Sequence, residues 1–397
     1  MIQKVSFRNF KAYRSLDLEL EPFTVLVGPN ASGKTTLLEG LHHFSVVAYE
    51  MLAGGRGFLP TNNLQFQSYG VKAPIELSVS GRWKGIEGSA SASCSPEPYK
   101  PQDGSPPYFP FKLEGEWNGA HFWAGDWGKT ARPNNPHGLH GDLETASFQR
   151  IREALSATTV LRFQASSLSA ASYSEEAVPQ IGTDGSGLAS VLAYLKLSQD
   201  EIFSEIELAL KQVVPSVRRI RLERAVVEQR FIRTLSLDEQ QHQIPETRTL
   251  WGQRIVLDMR GAKGVAADAA GEGTLMVLGL LTVLMSPQKP RLVLLDDLEM
   301  RLHPVAQAKL IEVLRRLQQN DPELQIIATS HSPFILNYLD PKEVRMTFLA
   351  ENGFARCEKL SAHPEFERWK DLMSPGEFWS TVGESWLEKA GETASHE

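Results

Sequence analysis

The chain has 397 residues, 42% of them hydrophobic and 22% charged, with a formal net charge of −7. That describes a globular chain with room for one large core and subdomains. No apolar run reaches the roughly 18 residues needed to span a bilayer and no signal-peptide h-region is present, and the acidic balance argues against indiscriminate nucleic-acid binding while leaving room for a local basic surface. Cys94 and Cys357 stand far apart and fit neither a disulfide framework nor a zinc site, so a reducing cytosol is the expected compartment.

Residues 1–27 alternate apolar and polar (Ile2, Val5, Phe7, then Leu16, Leu18, Leu20), which predicts a hairpin running into a third strand. That strand, Phe23–Val27, is followed by Gly28, Pro29, Asn30, Ala31, Ser32, Gly33, Lys34, Thr35 and Thr36, and then by an apolar-periodic segment to about Leu52. Strand, glycine-bounded loop ending in Lys-Thr, and helix make a phosphate loop. Gly28 and Gly33 let the backbone curl so that successive N–H groups form an anion nest at a helix N-terminus. Lys34 is placed for the β- and γ-phosphates, and the Thr35 hydroxyl for Mg²⁺. The motif predicts binding of a nucleoside triphosphate.

Residues 54–70 read as a loop, Ile75–Trp83 as a strand, and 85–142, rich in Gly, Pro, Ser and aromatics such as Trp117, Trp123 and Trp127, as short strands and turns or a partly mobile insertion. Residues 187–214 turn helical after Asp184-Gly-Ser-Gly187. Residues 217–260 alternate again as strands, and the basic cluster Arg218–Arg224 reads as a strand with a charged outer face. Thr274–Met285 is strongly apolar and predicts a buried helix.

Arg291–Asp296 is a continuous apolar run ending in an acid, the pattern of a central parallel strand. At its C-terminal end Asp296 is the candidate magnesium acid and Asp297 the candidate for orienting or deprotonating the attacking water. An amphipathic helix with Val305, Ala308, Ile311, Leu314 and Leu317 inward follows Pro304, then a buried strand, Gln325–Ser330, that ends at His331. One right-handed βαβ unit of this kind puts the acids and His331 at the same sheet edge.

The order of these motifs, with Gly271-Glu272-Gly273-Thr274 ahead of the Leu295-Asp296-Asp297-Leu298-Glu299 stretch, Leu302-His303-Pro304 and Ala328-Thr329-Ser330-His331-Ser332-Pro333, resembles the ABC-type ATPases of the RecF/SMC/OLD class. It is closest to the small bacterial AAA family ATPases, and the opening Phe7–Tyr13 stretch is similar to that class as well. The resemblance implies an α/β fold: an ABC-type P-loop NTPase head whose mixed β-sheet lobe has central parallel strands and carries an inserted helical lobe. It divides a single head (1–397) into an N-terminal lobe (1–165, with the 85–142 insertion), a helical or arm subdomain (166–260), a signature, acid and switch-histidine lobe (261–340) and a C-terminal extension (341–397). It implies ATP and Mg²⁺ as ligands, two heads closing on ATP as a homodimer or higher oligomer, and Gly271, Glu272, Gly273 and Thr274 of one head covering the phosphates of the other. His331 takes the place of the switch histidine that contacts the γ-phosphate. Gln164 is the candidate for the glutamine that couples the metal to the helical lobe, and His303 stands either near a dimer interface or at a helix entry.

Two departures from the family pattern bear on turnover. The signature serine is replaced by Gly271, leaving backbone N–H donors without a hydroxyl. The usual catalytic glutamate is Asp297, one methylene shorter, and proton abstraction tolerates a shift of about 1 Å poorly; Glu299 is the alternative acid. The expected function is a slow ATPase that switches DNA or a partner effector, in anti-phage defence or genome maintenance. No Asp-x-Asp follows residue 340, so a nuclease or toxin activity would come from a separate effector protein. The alternative is a nucleotide-locked structural or sensor subunit with negligible turnover. A transporter subunit is disfavoured by the atypical signature and the long segment before it, and no membrane partner is expected.

Overall fold

The computed structural model describes residues 1–53, 67–97, 109, 111–125, 139–141, 145–237 and 240–382. Most of the loop expected at 54–70, together with Trp127 and the residues after 382, lies outside the described residues. The chain opens with the predicted hairpin, β1 (Ile2–Phe10) and β2 (Tyr13–Glu19), and runs into β3 (Phe23–Val27) and helix α1 (Lys34–Leu52). Then come β4 (Ile75–Trp83), β5 (Ile86–Cys94), β6 (Phe111–Trp117), β7 (Ala120–Gly125) and β8 (Leu139–Gly141). Helix α2 (Thr145–Ser156), β9 (Thr158–Leu161), α3 (Ala165–Ser169), α4 (Leu188–Ser198) and α5 (Asp200–Val213) lead to three strands, β10 (Val217–Leu237), β11 (Gln240–Met259) and β12 (Ala262–Ala266). The rest is α6 (Glu272–Met285), β13 (Leu292–Leu295), α7 (Pro304–Asn320), β14 (Gln325–Ser330), α8 (Pro333–Leu336), β15 (Val344–Leu349), β16 (Ala355–Lys359), α9 (Phe366–Trp369) and α10 (Pro375–Val382).

The chain divides into two compact units. The first comprises Met1–Val160, Pro290–Glu299 and Gln318–Glu397. Its larger sheet is antiparallel, in the order β2-β1-β4-β5-β6-β7-β8. The 85–142 segment therefore supplies four of that sheet's seven strands. Period-2 alternation puts Val5, Phe7, Leu77, Val79, Ala90, Ala92 and Leu113 into the core and leaves Ser6, Ser78, Ser91 and Glu114 on the other face. The second sheet has the order β16-β15-β3-β14-β13-β9, with β15, β3, β14 and β13 running parallel, as expected for central strands after the phosphate loop.

Helix α1 packs against strands of both sheets, and its Leu37, Leu38, Leu41, Phe44, Val47 and Met51 are buried in one continuous core. Each such side chain contributes about 1.5–3 kcal/mol. Gly40 lets the helix approach β1, since a Cβ there would lie 2.5 Å from the Phe7 ring. Cys94 and Cys357 are both free and buried, and burial pushes the Cys357 thiol up to about 12, leaving it unreactive.

The second unit comprises Leu161–Lys289 and Met300–Leu317. Helix α6, buried on nearly every side, packs with α3, α4 and α5. The strands expected over 217–260 form a long antiparallel ribbon, β10 and β11, in register from Arg219↔Asp258 to Leu237↔Gln240. The ribbon's base buries Ile220, Ile255, Val256 and Leu257. Farther out, the cross-strand pair Val226 and Trp251 is exposed, with the Arg224 guanidinium 5.0 Å above the Trp251 ring. The charged outer face read from Arg218–Arg224 is present, since Arg218, Arg219 and Arg224 are exposed.

In α7 the expected inward set needs correction. Val305 is 66% exposed, and the buried residues are Gln307, Leu310, Ile311, Val313 and Leu314. Val305 occupies the first turn, where the helix face is not yet set by the 3.6-residue period, while Leu310 falls on the buried stripe with Gln307, Ile311 and Leu314.

Candidate nucleotide site

All of β3 is buried, and its neighbours are β15 on one side and β14 on the other. At its C-terminal end the loop bends at Gly28, where a Cβ would meet the Thr347 carbonyl oxygen at 2.2 Å, and at Gly33, whose φ of 100° is left-handed. Ala31 also has a left-handed φ, 63°, a conformation that costs a side-chain-bearing residue about 1–2 kcal/mol. Internal hydrogen bonds offset that strain. Thr347 Oγ1 donates to the Val27 carbonyl at 3.1 Å, so the Ser32 hydroxyl, 2.5 Å away, is the donor to Thr347. The buried Tyr13 hydroxyl donates to the Gly33 carbonyl at 3.2 Å, and burial raises its pKa well above the ordinary value. The Lys34 ammonium folds over the loop, donating to the carbonyls of Gly28 and Pro29 at 2.8 Å each. Its pKa is lowered by burial, with the charges of Asp297, Asp296 and Glu299 acting in the opposite sense. Asn30, Ala31 and Thr35 are exposed, and Pro29 and Thr36 half-buried, along the open rim of the loop.

The acids stand across from this loop, as the βαβ reading requires. The Thr35 hydroxyl lies 3.5 Å from Asp296 Oδ2. A hydroxyl next to a carboxylate supplies the hard oxygen ligands that Mg²⁺ takes, with nucleotide phosphates and water filling the other positions. These residues therefore fit the ion. One residue that the sequence reading did not single out organises both acids. Thr329 Oγ1 donates to Asp296 Oδ1 at 2.6 Å and accepts the Asp297 backbone N–H at 2.9 Å. Asp297 is held with φ of 61°, a left-handed conformation that Asp and Asn adopt more readily than most residues. Its carboxylate faces outward, 66% exposed, and His331 Nε2 is 4.0 Å from its Oδ1. Burial, then the charges of Glu299 and Asp296, raise the Asp297 pKa, while His331 and Lys34 act to lower it. Glu299 accepts hydrogen bonds from the Ser330 hydroxyl at 2.8 Å and from the His331 backbone N–H at 2.9 Å.

The remaining predicted residues belong to the second unit. Gly271 is the N-cap of α6 and, with no side chain, offers no hydroxyl there; Thr274 is buried and its N–H donates to the Gly271 carbonyl at 2.9 Å. Glu272 pairs with Arg301, and Gly273 abuts the 300–302 turn, where a Cβ would lie 3.0 Å from the Met300 carbonyl. Gln164 caps α3, its side chain exposed and its backbone N–H bonded to Asp184. His303 sits at a helix entry: its carbonyl accepts from Ala306 and Gln307, and Nδ1 faces the Val305 N–H at 3.5 Å.

Residues 151–337 match a family model described as an AAA domain and associated by that description with the AbiEii toxin of the Type IV TA system. Residues 1–64 match a model described as an AAA ATPase domain. The fold is similar to a solved SMC head bound to the C-winged helix domain of ScpA, with a TM-score of 0.54 at 12% identity, over 92% of this chain and 99% of that one. These matches support a likeness to the ABC-type ATPases of the RecF/SMC/OLD class. The chain is 52% identical over 42 residues to the DNA replication and repair protein RecF of Roseiflexus castenholzii, 10% of this chain and 11% of the relative. It is 42% identical over 41 residues to the OLD nuclease of Thermus scotoductus, 10% of this chain and 8% of that protein. The matched stretches thus span about a tenth of the length of these curated relatives. Among the described residues no helix is long and apolar enough to cross a membrane.

Thr329 gives the site its first test. Thr329→Val removes the donor to Asp296 Oδ1 and the hydroxyl that accepts the Asp297 N–H, in a place where Thr329 is only 1% exposed. A buried group left unpaired costs about 1–3 kcal/mol. The variant is expected to unfold at lower temperature and to bind nucleotide more weakly when Mg²⁺ is present, with Thr329→Ser close to wild type in both. Equal melting and equal Mg²⁺-dependent affinity in Thr329→Val would remove the hydroxyl from the site's organisation.

Proposed function

We propose that this chain is an ATP-binding, slowly hydrolysing head that closes on a second head when ATP is bound, and so switches DNA or a partner effector between two states. The reading rests on one observation: Lys34, Thr35, Asp296, Asp297 and His331 converge at the C-terminal ends of parallel strands β3, β13 and β14. Lys34 would exchange its loop carbonyls for the β- and γ-phosphates. Thr35 and Asp296 would hold Mg²⁺, which neutralises phosphate charge. Asp297 would take a proton from the attacking water, and His331 would contact the γ-phosphate. A role linked to DNA, in anti-phage defence or genome maintenance in the cytosol, is supported by the names of the RecF and OLD relatives and by the toxin association of the family model.

Pairing of heads follows from the chemistry of the γ-phosphate, which the loop and acids surround only on one side. The N-terminus of α6 at Gly271–Thr274 would cover it from the partner head, its N–H groups and helix dipole suited to an anion. In light scattering, the protein is expected to double in mass with a non-hydrolysable ATP analogue and to stay at its basal mass with ADP. A strictly monomeric protein with that analogue, and no partner chain carrying a matching head, would end the paired-head reading. A nucleotide-locked sensor is the second reading, favoured by Gly271 in place of a hydroxyl and by the short Asp297; turnover no faster than that of Lys34→Ala would select it.

A further inference from the structure

Two acids follow Asp296 in the same turn, and their surroundings differ. Asp297 points outward with His331 4.0 Å away. Both carboxylate oxygens of Glu299 are engaged: Oε1 accepts the His331 N–H at 2.9 Å, and Oε2 accepts the Ser330 hydroxyl at 2.8 Å. The Ser330 oxygen in turn accepts the Ser332 N–H at 3.0 Å, so the turn that carries His331 is gripped on both sides of the histidine. With the Thr329 bonds to Asp296 and Asp297, three successive residues at the end of β14 are tied to three acids at the end of β13. The strand pairing runs from Leu292↔Gln325 to Leu295↔Ala328, and beyond it these side-chain bonds act beside one backbone bond, from the Leu298 N–H to the Thr329 carbonyl at 2.8 Å.

We propose that Glu299 is a positioning residue that clamps the His331 turn to the acid loop, and is not the base. A base must take up a proton, and protonating either Glu299 oxygen would weaken the bond that oxygen accepts from the His331 turn or from Ser330. Its effect is exerted through His331: without the clamp, the imidazole loses its fixed place against Asp297 and the phosphate. The proposal rests on the ATP-hydrolysis reading above. It predicts that Glu299 acts by hydrogen-bond geometry and not by proton transfer. Glutamine preserves that geometry, because its amide oxygen can accept the His331 N–H while its NH₂ donates to the Ser330 oxygen.

The experiment compares ATP turnover, and the ratio of ATP to ADP affinity, in the full chain and in Glu299→Ala, Glu299→Gln, His331→Ala, Asp297→Asn and the double variant Glu299→Ala with His331→Ala. Glu299→Ala is expected to lower turnover by up to about 100-fold, the scale of an Å-sized misplacement, and to reduce the preference for ATP. Glu299→Gln is expected to recover most of both losses. The double variant is expected to be no worse than His331→Ala, since two residues acting through one group are not additive. Glu299→Gln as inactive as Glu299→Ala, with Asp297→Asn still turning over, makes Glu299 the base and overturns the proposal. Additive losses in the double variant overturn it too, because Glu299 would then act apart from His331. Failure of the parent reading looks different: Lys34→Ala would then retain wild-type turnover, whatever Glu299 does.

Discussion

Lys34→Ala is expected to abolish measurable nucleotide binding. The ammonium is placed over the loop, and it already donates to two loop carbonyls at 2.8 Å. A hydrogen bond to a charged group contributes about 1.5–3 kcal/mol, so losing two such bonds to phosphate lowers affinity by about two to four powers of ten. The loop backbone would keep its shape, because Gly28, Gly33 and the Ser32–Thr347–Val27 bonds do not involve the lysine. Isothermal titration with ATP and Mg²⁺, run beside a thermal melt, separates lost binding from lost folding. Unchanged affinity in a folded Lys34→Ala protein would remove the foundation of the nucleotide reading.

The parts of this site that were legible in the sequence are those whose signal is local. Strand β3, the loop and α1 are contiguous, and each has its own signature: a short apolar run, paired glycines, and an apolar period. Strands β13 and β14 and their acids were legible for the same reason, since a buried parallel strand reads as an unbroken apolar run. What the sequence did not reveal lies across the sheet. Thr329 organises the acids from a strand more than 30 residues away, and Thr347 supports the loop from β15, more than 300 residues after Ser32. Parallel pairing of strands separated in sequence creates those contacts, and no period records them. A hydroxyl in the last residues of a buried strand was the available hint, because a polar group there needs a partner. The ribbon β10–β11 combines the two cases. Its alternation identified strands over 217–260, but their length as one continuous ribbon is set by cross-strand pairing that no single strand's period records.

The same contrast between local and distant determinants bears on why an aspartate stands where the family has glutamate. Asp297 is left-handed, with φ of 61°, pinned by its N–H to Thr329 and by the Leu298 N–H to the Thr329 carbonyl at 2.8 Å. Short polar side chains tolerate that backbone better than long ones. The turn thus favours the residue that reaches less far, and on the proposed ATPase reading stability of the turn and speed of hydrolysis would pull in opposite directions.

Substitutions at Asp297 separate these two demands. Asp297→Asn keeps the shape and the backbone preference while removing the base, so it should bind ATP like the wild type and turn over about 100-fold more slowly or worse, the usual scale of a general base. Any ATP-closed dimer should persist longer in that variant, which light scattering after mixing with ATP and Mg²⁺ would follow directly. Asp297→Glu restores the reach and gives up about 1 kcal/mol of backbone preference. If the missing methylene limits proton abstraction, single-turnover hydrolysis should rise in Asp297→Glu even as its melting temperature falls. A rate that falls along with stability means that the turn's geometry, and not side-chain length, sets the speed of the reaction. Turnover in Asp297→Asn equal to the wild type, with Glu299→Gln also unaffected, would leave neither acid as the base, and the nucleotide-locked reading would then take precedence.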